Sequence, residues 1–113
     1  MKDRLLAMLG EVTELLATCG EPTRVSWFRD RMDILEHERV DSRKFQQAIR
    51  EIRETLAGMG SFMDLSLIPA PGSPLTRQEA RVKQWALADS IDQAIRDLLI
   101  DDVEGRAKPS LPA

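Results

Sequence analysis

The stretch Ser42–Gly58, SRKFQQAIREIRETLAG, decides the fold class, because its apolar residues recur at steps of three and four. That spacing places them along one face of a helix. They are Phe45, Ala48, Ile49, Ile52 and Leu56. Asp41 or Ser42 can cap the amino end, and Gly58 is the expected stop. The stretch therefore predicts an amphipathic helix.

Two segments before this helix repeat the pattern. The first covers residues 2–18, and the sequence Gly20-Glu21-Pro22 is expected to end it. Its apolar stripe consists of Leu5, Leu9, Val12, Leu16 and Cys19. The second segment has Thr23 as its expected N-cap and runs to about Glu38. Its stripe consists of Val25, Phe28, Met32 and Leu35. Each segment predicts one helix.

A capping box, Thr76-Arg77-Gln78-Glu79, predicts the start of the last helix, with Thr at the N-cap and Glu at N3. We expect it to continue to about Asp102 and to bury a broad apolar face that includes Trp85. For Trp85, as for Trp27, a place at the core edge is favoured over the alternative of a partly exposed contact residue. Before it, residues 69–74 form a Pro-rich loop. Residues 62–68 are too short and too apolar to assign by period, so a short strand, an extended core-lining segment and a helical turn all stay open.

Together these segments predict an all-α protein. The expected architecture is a small four-helix bundle, with a short extended segment and a Pro-rich loop before the last long helix. We expect residues 1–103 to form a single helical domain. Residues 104–113 contain Gly105, Pro109 and Pro112 and little apolar surface, so we expect a flexible C-terminal tail.

Composition excludes several classes of function. The chain has 113 residues and a formal net charge of -3, whereas nucleic-acid binders usually show a basic face. No apolar run approaches the roughly 18–20 residues of a membrane span. Cys19 is the only cysteine, which excludes an intramolecular disulfide and a cysteine-rich zinc site. We therefore expect a cytoplasmic protein that binds neither nucleic acid nor membrane.

The segment Gly58–Leu65 has two interpretations. Two glycines two residues apart after a helix favour a C-cap followed by a tight turn. The alternative is a binding surface built on exposed backbone N–H groups. Trp27 joins this hypothesis because it lies beside Phe28 in the sequence, so both cannot face one core, and partly exposed tryptophan is typical of interfaces. The candidate binding surface comprises Trp27, Gly58, Met59, Gly60, Ser61, Phe62 and Asp64.

Paired carboxylates suggest a second class of function. The pairs Glu11/Glu14, Glu51/Glu54 and Asp89/Asp92 each place two carboxylates three residues apart, hence on one helical face, and oxygen ligands suit Mg²⁺. The candidate metal ligands are Glu11, Glu14, Glu51 and Glu54. This spacing resembles that of the all-α nucleotide pyrophosphohydrolases, which implies a Mg²⁺-dependent enzyme. Nearby basic residues can equally neutralise the pairs as ordinary surface ion pairs. The favoured expectation has no cofactor and no metal, a surface-exposed His37 and a core thiol at Cys19.

The string Gly-Met-Gly-Ser-Phe-Met-Asp-Leu at residues 58–65 resembles a segment of an uncharacterised family of small bacterial helical proteins. That family carries a Gly-Gly-Met-Gly-Ser-x-Asn-Asp-Leu-like sequence. Here Ala57 stands at the first glycine and Met63 at the asparagine. The resemblance implies a helical fold but no activity. We favour a non-enzymatic, protein-binding module that is immunity-like, inhibitor-like or a regulatory accessory protein. Its partner would be another protein or a second copy.

Overall fold

A computed structural model describes residues 1–56 and 65–100 of the chain. Within these ranges the chain forms four helices and no strand. They are α1 (Lys2–Thr18), α2 (Pro22–His37), α3 (Arg43–Leu56) and α4 (Arg77–Leu98). The predicted all-α class and the number of helices are therefore confirmed. None of the described helices has the length and apolar character that a membrane span requires.

The helices form a ring in chain order. α1 packs against α2 and α4, and α3 packs against the same two helices, while α1 and α3 have no Cα atoms within 8 Å of each other. Consecutive helices run in opposite directions. Lys2, at the start of α1, donates from Nζ to the carbonyl of Glu38 just beyond α2, at 3.1 Å. Gln46, in the first turn of α3, contacts the carbonyl of Leu98 at the end of α4, at 3.1 Å.

One apolar core fills the centre of the bundle. All five residues of the predicted α3 stripe are buried in it, and Phe45 is the largest side chain with no solvent exposure. The fully buried side chains from the other helices include Leu5, Leu9, Val12, Leu16, Leu35, Ile91 and Ile95. Burying such side chains contributes roughly 1.5–3 kcal/mol each before the entropy cost of folding is counted.

Two predicted N-caps are confirmed. Ser42 caps α3, because its Oγ accepts a hydrogen bond from the backbone N–H of Phe45 at 3.1 Å. Thr76 caps α4 through the complete capping box. The N–H of Glu79 donates to Thr76 Oγ1 at 3.1 Å, and the N–H of Thr76 donates to Glu79 Oε1 at 2.8 Å.

The other helix ends differ in detail from the prediction. Thr23 is not the N-cap of α2, because Pro22 already occupies the first helical turn and Glu21 precedes it as the N-cap. The fixed φ of proline suits that first position and its missing N–H costs nothing there. α4 ends at Leu98 rather than near Asp102, since Leu99 is extended with φ -67 and ψ 137. α1 ends as predicted, with Gly20 at φ 73.

The described part of the connection between α3 and α4 forms neither helix nor strand. Leu67 is buried in the core and Leu65 packs against its edge, whereas Ile68 is mostly exposed, so the segment contributes alternate residues to the core. The N–H of Ala70 donates to the carbonyl of Thr18 at 2.9 Å and ties the Pro-rich loop to the end of α1. Residues 58–64 of the predicted Gly58–Leu65 turn, with the predicted helix stop at Gly58, and the predicted tail lie outside the described residues.

Candidate interaction surface

Two large apolar side chains of α4 point into solvent one turn apart. Val82 is 64% exposed and Trp85 is 59% exposed. The prediction that Trp85 lies on the buried face of the last helix is therefore wrong, and Val82 had no place in that prediction. Val82 and Trp85 are the only large apolar residues of α4 that are exposed, and no other described helix places two such side chains one turn apart in solvent.

A buried glutamine explains why Trp85 faces outward. Gln84 is only 3% exposed, and its Nε2 donates to the backbone carbonyl of Leu65 at 3.0 Å. Consecutive residues of a helix are separated by about 100° around its axis. Once Gln84 and Leu87 face the core, Trp85 is turned away from it. The hydrogen bond to Leu65 offsets the cost of burying an amide, which would otherwise make this rotation unfavourable.

We call the exposed side of this helix the α4 outer face and define it by Gln78, Arg81, Val82, Trp85, Ala86 and Asp89. A shallow depression of about 530 Å³ is lined by its first five residues. A second groove, of about 430 Å³, follows the seam between α3 and α4 on the other side of Trp85 and includes Leu56, Ala88 and Asp92. The indole ring therefore lies between two grooves, with Arg81 before it and Asp89 after it along the helix.

Trp27, the first residue of the predicted binding surface, is half-buried. The guanidinium carbon of Arg31 lies 4.1 Å from the centre of its ring, and Phe28 meets it edge-on at 5.1 Å between centroids. Phe28 is buried, so the prediction that one of the two neighbours lies at the core boundary is confirmed. A groove of about 430 Å³ next to the pair is lined by Glu21, Thr23, Arg24, Trp27, Phe28 and Thr55.

The rest of the predicted surface cannot be placed beside Trp27. Gly58, Met59, Gly60, Ser61, Phe62 and Asp64 lie outside the described residues. The surface predicted from the glycine segment thus stays a prediction.

The four carboxylates of the alternative Mg²⁺ site are not brought together. Glu11 and Glu14 belong to α1, and Glu51 and Glu54 belong to α3, diagonally across the bundle. Glu51 instead accepts a hydrogen bond from Arg31 Nε at 3.2 Å. Glu11 lies 4.0 Å from the Lys83 ammonium. Two of the four carboxylates are therefore partners of cations on α2 and α4, as the ion-pair interpretation expects.

The described residues contain one group of at least three potential metal ligands within 4.8 Å of one another, namely Asp33, Glu36 and His37. All three are exposed on the last turns of α2, where such groups are common without an ion. His37 Nδ1 lies 2.9 Å from the carbonyl of Asp33 and 3.2 Å from its carboxylate. Both interactions raise the pKa of His37 above its ordinary value, the carbonyl contributing more. The predicted exposure of His37 is confirmed.

Cys19 is the C-cap of α1 and packs partly buried against the core, rather than being fully enclosed as a core thiol. Its place at the helix end explains the difference, since the chain turns toward solvent at Gly20. Burial, and to a smaller extent the nearby Glu21 carboxylate, raise the pKa of the Cys19 thiol. A raised pKa lowers the thiolate fraction at neutral pH, so the residue is a poor nucleophile.

No protein-family model matches this chain, and no curated protein and no solved structure is significantly similar to it. The resemblance carried by residues 58–65 therefore stays an expectation, and the case for function rests on the geometry of the described residues.

Proposed function

We propose that this protein acts by binding a protein chain, either another protein or a second copy of itself, through the α4 outer face. The observation that carries the proposal is the exposure of Trp85 and Val82 one turn apart on a helix whose inner face is fully packed. Tryptophan is among the residues that contribute most to protein interfaces, because its ring buries a large area when a partner covers it. Neither side chain is needed on this side of α4 to complete the core.

The surroundings of Trp85 fit an interface in form as well as in composition. The two grooves beside the ring offer apolar floor at Val82, Ala86 and Ala88, and charged side chains stand at the rim. Apolar centres with polar rims are the usual anatomy of protein–protein contacts. The shallow, open form suits a helix or another flat surface better than a small molecule, which is normally enclosed in a concave site.

The test is site-specific photocrosslinking in the cells that make the protein. A benzophenone-bearing amino acid replaces Val82 in one variant and Glu14, exposed on α1, in the control. We expect a crosslinked protein from position 82 that is absent from position 14, and we expect Trp85→Ala to remove it. Circular dichroism shows whether each variant is folded. Equal crosslinking from both positions, or none from position 82, would overturn the proposal.

A further inference from the structure

The charges on the α4 outer face are ordered along the helix. Arg81 lies four residues before Trp85 and Asp89 four residues after it, which places them about 6 Å from Trp85 in opposite directions along the axis. Both side chains are exposed, and neither forms an ion pair with another described residue. The face therefore has a basic end, an apolar centre and an acidic end.

The next acidic residue of α4 differs from Asp89, because it already has cationic partners within the chain. Asp92 lies one turn further along α4, but its carboxylate is already held by Arg53 at 3.0 Å and Arg96 at 3.1 Å. Its charge is neutralised within the chain. Asp89 is thus the acidic group that the outer face leaves for a partner, and Arg81 is its basic counterpart.

This order of charges is self-complementary when α4 of a second copy of the chain packs against the same face in the opposite direction. A two-fold axis perpendicular to α4 at the level of Trp85 sets Arg81 of one copy at the level of Asp89 of the other, and the same operation forms the reciprocal pair. The two Trp85 rings then meet at the centre, beside the small Ala86. A parallel pair would set Arg81 beside Arg81 and Asp89 beside Asp89, which like-charge repulsion disfavours.

We propose that the partner bound by the α4 outer face is a second copy of this chain, paired antiparallel through α4, with Arg81 and Asp89 forming two symmetric ion pairs around Trp85. This inference rests on the proposed function and names the partner of the same surface.

Sedimentation equilibrium of the full chain over a wide concentration range tests the pairing. We expect a reversible monomer–dimer equilibrium for the wild type. Arg81→Glu places a carboxylate opposite Asp89 in each of the two pairs, and Asp89→Arg places a guanidinium opposite Arg81 in each pair. Each is expected to weaken the dimer at least about tenfold. Arg29→Glu makes the same change of charge at an exposed position of α2 and is the matched control, with an unchanged equilibrium.

Mixing the two single variants provides the sharpest result. The chain carrying Arg81→Glu is acidic at both ends of the face and the chain carrying Asp89→Arg is basic at both ends, so we expect them to form a heterodimer. The double variant Arg81→Glu, Asp89→Arg should again pair with itself. In a parallel dimer, position 81 faces position 81 and position 89 faces position 89, so like charges face each other in the wild type, in Arg81→Glu and in the double variant. Unchanged dimerisation of Arg81→Glu would therefore contradict the antiparallel arrangement.

The failure of this inference can be told apart from the failure of the proposed function. A wild-type chain that stays monomeric at every concentration overturns the inference. If position 82 then still crosslinks to a different protein, and Trp85→Ala removes that product, the proposed function stands with another partner. If the chain is monomeric and position 82 gives no specific product, both are overturned.

Discussion

Gln46 in α3 donates from Nε2 to the backbone carbonyl of Leu98 at 3.1 Å and joins the start of one helix to the end of another. The same amide nitrogen donates to the carbonyl of Val40 at 2.7 Å, and Oε1 accepts from the N–H of Ile100 at 3.1 Å. The side chain is only 1% exposed. One buried amide therefore satisfies three backbone groups from the α2–α3 connection and the chain that leaves α4.

Replacing Gln46 should loosen this end of the bundle. Gln46→Leu leaves two carbonyls and one N–H without their partner, and we expect the free energy of unfolding to fall by about 1–3 kcal/mol. Gln47→Leu is the control, because Gln47 is exposed and its bond to Glu51 lies at the surface; we expect a change of about 0.5 kcal/mol or less. Urea unfolding followed by circular dichroism measures both. Equal midpoints for the two variants would contradict the role of Gln46.

Gly10 inside α1 and Gly20 just beyond its end should respond in opposite ways to alanine. Gly20 has φ 73 and open space around its Cβ position, so Gly20→Ala meets backbone strain alone and should destabilise by about 1 kcal/mol. Gly10 lies inside the helix, also with open space, so Gly10→Ala should stabilise by about 0.5–1 kcal/mol. Thermal unfolding of both variants tests the pair. A stabilising Gly20→Ala would show that the positive φ is not required.

Trp85 lies on the exposed face of α4 and Ile91 on its buried face, so the two side chains allow surface and core positions to be compared on one helix. Ile91→Ala removes a fully buried side chain and should cost about 2–5 kcal/mol. Trp85→Ala removes a larger side chain but should cost about 0.5 kcal/mol or less, because the ring is mostly in solvent. The comparison is made by denaturant unfolding at a concentration where the wild type is monomeric. A comparable loss in both variants would mean that Trp85 supports the fold rather than a partner.

The capping box of α4 makes the stability of the fold depend on pH through Glu79. Hydrogen bonds from the backbone N–H and then the hydroxyl of Thr76 lower the pKa of Glu79. A folded-state pKa below the unfolded value of about 4.3 stabilises the protein above that pH, and the effect is lost as pH falls through the folded value. We expect Glu79→Gln to be less stable than wild type at pH 7 and to converge with it in stronger acid. Thermal scans across this range make the measurement, and a constant difference at every pH would argue against it.

His37 reports on the carboxyl end of α2. Its raised pKa means that protonation stabilises the fold below the unfolded value of about 6.5, and that this contribution disappears as pH rises through the folded value. Asp33→Asn should lower the pKa of His37 without returning it to the ordinary value, because the larger cause is the Asp33 backbone carbonyl, which the variant keeps. As the only histidine, His37 can be titrated by NMR without assignment. An unchanged pKa in the variant would contradict the carboxylate contribution.

The helices themselves could be predicted from the sequence because their causes are local. Apolar spacing in the α3 stretch fixes its buried face, and the caps at Ser42 and Thr76 depend on residues three positions away. The same is true of the end of α1, where glycine accepts the positive φ. These features need no information about the rest of the fold.

The candidate surface depended on contacts that only the tertiary structure makes. Apolar content alone assigns Trp85 to the core and polar Gln84 to solvent. In the structure the Gln84 side chain is buried, because its amide donates to the carbonyl of Leu65, 19 residues away. Trp85, the next residue, is therefore turned outward. Gln46 likewise holds the end of α4 from 52 residues away. The sequence by itself determined four amphipathic helices, the N-caps of α3 and α4 and the end of α1. The rotation of α4, the distance between the carboxylate pairs and the exposed pair Val82 and Trp85 were decided by packing, because each depends on which distant backbone or side chain satisfies a polar group.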